Sequence, residues 1–262
     1  MERKLIIYEE YTMLLQMERI NEVYWNQNLK YLDDNNNVRG PHPSVVGFFN
    51  DRQGNLGTTL DLGCNYGRHF HYLTGEEINV HGVDIASDVI EKVQEESLKR
   101  YGNDFPTGER LKCASMLSLP FTDNFFDTVV AWGVFHQSTP LGGMLGLEES
   151  YSVLNSGGIM YGSVRTDNLL PDGKMREGTY FSYNVLPQRT FYEPKEFMET
   201  ARSIGFESGF FADGEFVPYR SINAMQNYTI LPPQAGRTDS RIVFTFRKNP
   251  ELKRLEVIVE GR

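Results

Sequence analysis

One ten-residue stretch constrains the fold of this chain more than any other: Thr59-Leu60-Asp61-Leu62-Gly63-Cys64-Asn65-Tyr66-Gly67-Arg68. A short apolar run opens it, glycines break the run, and helix-forming residues follow. The pattern predicts a buried strand over Thr58 to Leu62, a glycine turn, and a helix to about Leu73. Glycines at such a turn let the backbone approach a ligand closely, and the helix N-terminus behind it favours negative charge. A second apolar strand, Ile78 to Val83, ends at Asp84, 21 positions after Gly63. A carboxylate there can accept hydrogen bonds from both hydroxyls of a ribose.

The rhythm continues. A helix is expected over Ser87 to Tyr101, with Ser87 as N-cap, Asp88 in its first turn, Lys99 and Arg100 in its last, and Gly102 as its stop. Strands are expected at Arg110 to Ser115, Phe125 to Ala131 and Ile159 to Val164, with a helix over Leu141 to Leu154 between the last two. The fourth strand is mostly apolar, with the run Val129-Val130-Ala131 at its end, as a central parallel strand should be. Pro194 to Ser203 reads as a helix stopped by Gly205, and Phe206 to Phe211 and Arg241 to Phe246 as the last strands. These elements predict an α/β fold: a doubly wound, Rossmann-like, mostly parallel sheet of seven strands with helices on both faces. One or two amphipathic helices over Tyr8 to Leu32, and a short helix over Ser44 to Asn50 capped by Ser44, would form an N-terminal helical cap over residues 1–50. The α/β domain then occupies 51–250, with a lid insertion at 165–192, and 251–262 forms a tail.

The glycine turn departs from the dinucleotide fingerprint, which needs glycine at Asn65 and glycine or alanine at Arg68. Asp61 also stands where a dinucleotide-binding strand carries an apolar residue. A nicotinamide cofactor is therefore disfavoured. Instead, the motif order from Leu60 to Phe211 resembles the class I S-adenosylmethionine-dependent methyltransferases. Asp61-Leu62-Gly63-Cys64-Asn65-Tyr66-Gly67 is similar to their first motif, D-x-G-x-G-x-G, with Asn65 in place of the middle glycine. Val83-Asp84-Ile85 resembles the second, Ser115-Met116-Leu117-Ser118-Leu119-Pro120-Phe121 the third and Phe126-Asp127-Thr128-Val129-Val130 the fourth. Leu154-Asn155-Ser156-Gly157-Gly158 resembles the family's L-K-P-G-G turn, and Phe191 to Phe206 its late helix and G-F step.

The resemblance implies S-adenosyl-L-methionine as cofactor. It places Asp61, Gly63, Asn65, Gly67 and Arg68 around the cofactor's amino-acid end, Asp84 and Ile85 at its ribose, and Ser115 and Met116 around its adenine. Trp132 follows the fourth strand at the mouth of the sheet, where it stacks near adenine, walls the substrate pocket, or packs as a core tryptophan. The family has Asp at the Ser115 position, contacting the adenine amino group; a serine there accepts only a weaker, neutral hydrogen bond. Asn65 tolerates left-handed backbone angles better than most residues, so the turn survives its substitution. Asp61 is expected to orient the loop or to meet the cofactor's amino end. Arg68 pairs with the cofactor's carboxylate or is a helix surface charge, and Arg39 is a weaker candidate for the same carboxylate.

Candidate catalytic residues follow the fourth and fifth strands, at the sheet edge where ligands bind. His136 is placed to act as a general base, or is structural. Arg165 and its neighbour Asp167 face the same crevice and can hold a charged substrate group. Tyr8, Tyr11, Tyr24, Trp25, Tyr180, Tyr183 and Tyr192 supply aromatic faces that either pack a lid or attract the sulfonium.

Composition narrows the partners. The formal charge of −9 argues against long nucleic acid as ligand. No run approaches the length of a membrane span, and residues 1–15 do not read as a signal peptide. Cys64 and Cys113 make no metal-ligand spacing and read as reduced thiols of a cytoplasmic protein. No metal is expected; a homodimer is compatible with the sequence. Three functions fit: methyl transfer to a small molecule, intramolecular cyclisation of the cofactor with release of methylthioadenosine, and a non-catalytic cofactor-binding module.

Overall fold

Strand β1, Thr59–Leu62, is buried at all four positions, which two-sided coverage of a parallel strand demands. The computed structural model describes residues 2–27, 40–52, 57–166, 178–182, 189–219, 229–231 and 240–252. In it β1 lies between β2, Val80–Asp84, and β4, Phe126–Trp132, parallel to both. β3, Leu111–Cys113, flanks β2, and β5, Leu154–Thr166, flanks β4. β11, Ser240–Lys248, enters antiparallel between β5 and β8, Phe206–Ala212. The order is β3-β2-β1-β4-β5-β11-β8-β9.

The seven expected strands are all present, but the sheet has nine. β9, Glu215–Pro218, extends the edge beyond β8 through a turn at Asp213 and Gly214, both at positive φ. That pair of left-handed residues gives a two-residue hairpin turn. β10, Thr229–Leu231, pairs with β11. Within the expected lid, β6, Tyr180–Ser182, and β7, Arg189–Phe191, form a separate ribbon. Arg39, Asp167 and Tyr183 lie outside the described residues.

Helices cover both faces. On one, α2 (Pro43–Asp51), α3 (Arg68–Gly75) and α4 (Ser87–Tyr101) bury Val45, Phe48, Phe70, Leu73, Ile90 and Val93. On the other, α6 (Pro140–Val153) and α7 (Pro194–Ile204) bury Leu147, Tyr151, Phe197 and Met198 against Phe244 and Phe246 of β11. A one-turn α5, Thr107–Arg110, precedes β3. Thr139 caps α6, its hydroxyl accepting from the Gly142 amide, and Glu193 caps α7 through the Glu196 amide. Two expected caps differ. The cap of α2 is His42, whose Nδ1 accepts from the Ser44 amide, because Pro43 starts the helix one residue early. The cap of α4 is Ala86, and Ser87 instead turns its hydroxyl toward Asp88.

Helix α1, Glu2–Gln27, is one continuous helix. It buries Leu14, Met17 and Asn21 and packs against α4 and α6. It therefore lies across the carboxyl ends of β2, β3 and β4. α2, by contrast, is part of the sheet's own cover: Phe48 stacks on Tyr161 of β5 at 4.2 Å between ring centroids.

Candidate cofactor site

The strand order reverses at β1 and β4, since β2 and β3 lie on one side of β1 while β4 and β5 lie on the other. In an open parallel sheet the crevice at this reversal is the ligand site. The loop after β1 takes left-handed angles at Gly63 (φ 65°), Asn65 (φ 46°) and Gly67 (φ 74°). Asn65 thus occupies the conformation for which the first motif uses glycine, and its Oδ1 accepts from the Tyr66 amide. At Gly63 a side chain would be strained, since φ is left-handed and a Cβ would come within 2.5 Å of Val134 Cγ2, in the loop after β4.

Asp84 ends β2 at the floor of this loop and is 7% exposed. Its Oδ2 accepts from the Asn65 amide at 3.0 Å and its Oδ1 from the Ala86 amide at 3.1 Å. Burial pushes its carboxyl up to about 6, against these amides, which pull it down; nearby Asp61 adds to the rise. The Ile85 amide also pulls it down, and the two oxygens together keep lone-pair capacity beyond these amides. Ile85, next in sequence, is half-buried at the same strand end.

Asp61, 1% exposed, has partners of its own. Its Oδ2 accepts from the Phe70 amide at 3.0 Å, and its Oδ1 lies 3.7 Å from Nδ1 of buried His69. His69 Nε2 in turn accepts from the His42 amide. Asp61 thus braces α3 and, through His69, the His42 segment. The His42 ring lies on Trp132, with centroids 4.2 Å apart. Burial, and then the charges of Arg68, His69 and Arg241, lower His42 to about 4, so it packs there as neutral imidazole. Trp132, 8% exposed, ends β4 and also stacks on Tyr161. Arg68 opens α3 half-buried beside His42.

Ser115 and Met116 follow β3 and are half-buried. The Ser115 hydroxyl accepts from the Leu117 amide at 3.0 Å and donates its own proton to Glu18 of α1. Glu18 was not among the sequence candidates. It lies 97 residues away, and no local pattern marks it. Two further ties hold α1 over the strand ends. Asn21 Nδ2 donates to the Gln137 carbonyl, and Asn26 Oδ1 accepts from the Asp88 amide at 3.2 Å.

On the far side of the crevice, His136 sits in a 3-10 turn, Phe135–Gln137, and is wholly buried. Its Nε2 accepts from Arg165 Nε at 3.1 Å. Burial, reinforced by the guanidiniums of Arg241, Arg165 and Arg189, holds it far below the usual imidazole range. Among the described residues, Asn21 Oδ1, Gln137 Oε1, Ser138 Oγ and Thr166 Oγ1 are buried without hydrogen-bond partners. They surround the ends of β4 and β5. A cavity of about 290 Å³ lies elsewhere, between α2 and strands β5, β8 and β11, and shares no lining residue with the loops after β1, β2 and β3.

The model of a methyltransferase domain matches residues 60–162. Over these residues the chain carries a methyltransferase domain, and its fold is that of the class I S-adenosylmethionine-dependent methyltransferases. The fold is similar to that of Burkholderia thailandensis 1,6-didemethyltoxoflavin-N1-methyltransferase, at 18% identity over 92% of this chain and 90% of that one, with a TM-score of 0.62. It is also similar to an S-adenosylmethionine-dependent methyltransferase from Methanosarcina mazei, at 19% identity, 80% and 99% coverage and a TM-score of 0.57. A third similar structure is the 4+2 cyclase SpnF, at 17% identity, 79% and 81% coverage and a TM-score of 0.54. Among curated proteins, none matches the sequence. The cofactor of the class I methyltransferases is S-adenosylmethionine, and the buried acid at β2 and the left-handed glycine loop fit it. Among the described residues, no helix is long and apolar enough to cross a membrane, and no group of acidic, histidine or cysteine side chains forms a metal site.

Proposed function

We propose that this methyltransferase transfers a methyl group to a small molecule held between α1, the turn after β4 and the end of β5. The observation that carries the reading is Asp84: a buried carboxylate braced by two amides at the topological switch, beside a loop in left-handed conformation. In this reading Asp84 accepts hydrogen bonds from the ribose hydroxyls. The Gly63–Gly67 loop meets the amino-acid end, with Arg68 as counter-charge to its carboxylate, while Ile85 and Met116 wall the adenine; Trp132, packed between His42 and Tyr161, is a core residue of the α2 face. When bound, S-adenosylmethionine supplies a methyl group activated by its sulfonium.

The chain's own residues then chiefly position the acceptor and exclude water. The unpartnered side-chain amide oxygens, Asn21 Oδ1 and Gln137 Oε1, favour an acceptor that carries N–H or O–H donors. His136 is read as a positioning residue: its Nε2 lone pair is committed to Arg165, which it aims, and three guanidiniums oppose its protonation. The acceptor's own nucleophile attacks without an imidazole base.

The test is to incubate the protein with S-adenosylmethionine, alone and with small-molecule acceptors, and to identify the nucleosides by mass spectrometry. Acceptor-dependent S-adenosylhomocysteine supports the reading. Enzyme-dependent methylthioadenosine without an acceptor replaces it with cyclisation. Binding without either product, across acceptors, leaves a cofactor-binding module.

A further inference from the structure

The Ser115 hydroxyl is a poor acceptor for a ligand. Its proton goes to Glu18, and one of its lone pairs takes the Leu117 amide. The carboxylate it meets comes from α1, not from the sheet. β3 runs beside β2 in register Asp84↔Cys113, and the Ala114 amide donates to the Asp84 carbonyl at 2.9 Å, so Ser115 stands immediately beyond the acid assigned to the ribose. A base attached to that ribose and lying toward β3 reaches the Ser115 loop next. An exocyclic amino group there presents two hydrogens and needs acceptors. One Glu18 oxygen is occupied by the serine proton, which leaves the other to accept.

We propose that Glu18 is the residue that recognises the adenine amino group of the cofactor, delivered across the crevice by α1 and aimed by Ser115. The inference rests on the cofactor reading given above. The serine takes the role of positioning residue: its hydroxyl fixes the carboxylate and contributes no charge of its own. The same arrangement makes docking of α1 part of cofactor binding. With Glu18 bound at Ser115, Asn21 at Gln137 and Asn26 at Asp88, the helix spans the ends of β2, β3 and β4.

The test compares two probes by titration calorimetry: S-adenosylhomocysteine and S-inosylhomocysteine, in which a carbonyl replaces the amino group. A charge-assisted hydrogen bond gained by one probe and lost by the other predicts that the wild type favours the adenosyl probe by about 10- to 100-fold. In Glu18→Ala this preference falls to within about threefold, through weaker binding of the adenosyl probe. In the double variant Glu18→Ala, Ser115→Asp the preference returns, because the carboxylate is restored from the loop. Asn26→Ala, which loosens α1 at its other end, weakens both probes alike and keeps the preference. Equal weakening of both probes by Glu18→Ala would overturn the proposal and reduce Glu18 to a docking contact, as would no change in either. A wild type that binds neither probe would remove the cofactor reading itself, and this inference with it.

Discussion

Replacing Asp84 with Asn should move folding stability and cofactor affinity in opposite directions. Burial raises the Asp84 carboxyl from its ordinary 3.8 to about 6. Two units correspond to about 3 kcal/mol of penalty for holding the ionised carboxylate in the fold. The sign follows from the direction: a raised acid costs nothing below about pH 4, costs progressively more up to about pH 6, and carries its full penalty above that. Asp84→Asn removes this cost at pH 7. It also sets an amide NH₂ against the Asn65 or the Ala86 amide, which donate to separate oxygens, and that mismatch costs about 1–3 kcal/mol. The net expectation is a variant between neutral and about 2 kcal/mol more stable at pH 7, and less stable than wild type at pH 4. Binding behaves differently. If only the ionised form accepts from the ribose hydroxyls, wild-type affinity for S-adenosylhomocysteine is flat above about pH 6.5 and falls about tenfold by pH 5. The Asn variant should bind on the order of 100-fold more weakly at pH 7.5, with no break near 6. Thermal melts and calorimetric titrations from pH 4 to 7.5 read both quantities. A variant within threefold of wild-type affinity, or a flat wild-type profile between pH 5 and 7, would refute the assignment of this carboxylate to the ribose.

Three other perturbations test the frame around it. Gly63→Ala combines a left-handed φ with a Cβ 2.5 Å from Val134 Cγ2; it should cost about 2–4 kcal/mol in urea melts, with Val134→Ala recovering the packing part. Lys248→Met leaves the Tyr151 and Leu154 carbonyls and Asn124 Oδ1 without the ammonium that now reaches all three within 2.9 Å, and should cost about 3 kcal/mol, or roughly 10 °C in melting temperature. His136→Gln can still accept from Arg165, so kcat/KM should stay above about a tenth of wild type with an unchanged pH profile between 5.5 and 8. A loss of about 100-fold or more would restore the general-base role.

The parallel half of the sheet was readable because its strands are short apolar runs whose helices stop at Gly102 and Gly205. The cofactor loop was readable for a related reason: only a few residues tolerate its left-handed turns, and they stand at fixed spacing in the chain. The β8–β9 hairpin was missed although Asp213-Gly214 is a strong turn signal, because the following run of alternating residues is short and sits on an edge. The caps of α2 and α4 were misplaced by one or two residues because Pro43 and the Asp84 carboxylate set those helix starts, not the nearest serine. Glu18 was beyond reach for a different reason. Its role depends on where a 26-residue helix lies on the folded sheet, and the sequence of α1 carries no mark of which glutamate faces inward.

The position of β11 has a consequence for how this protein is made. Residues 240–248 emerge from the ribosome after every other strand of the sheet, yet they lie inside it, with β5 on one side and β8 on the other. Until they arrive, the nascent chain holds two unfinished pieces of sheet, each with a bare hydrogen-bonding edge, and Phe197 and Phe206 lack the Phe246 ring that packs on both. Such edges are where strands pair wrongly with other chains. The interval between synthesis of β8 and of β11, about twenty-seven residues spanning 213–239, is therefore the window in which the growing polypeptide is most exposed to aggregation, and a translational pause placed there would lengthen it.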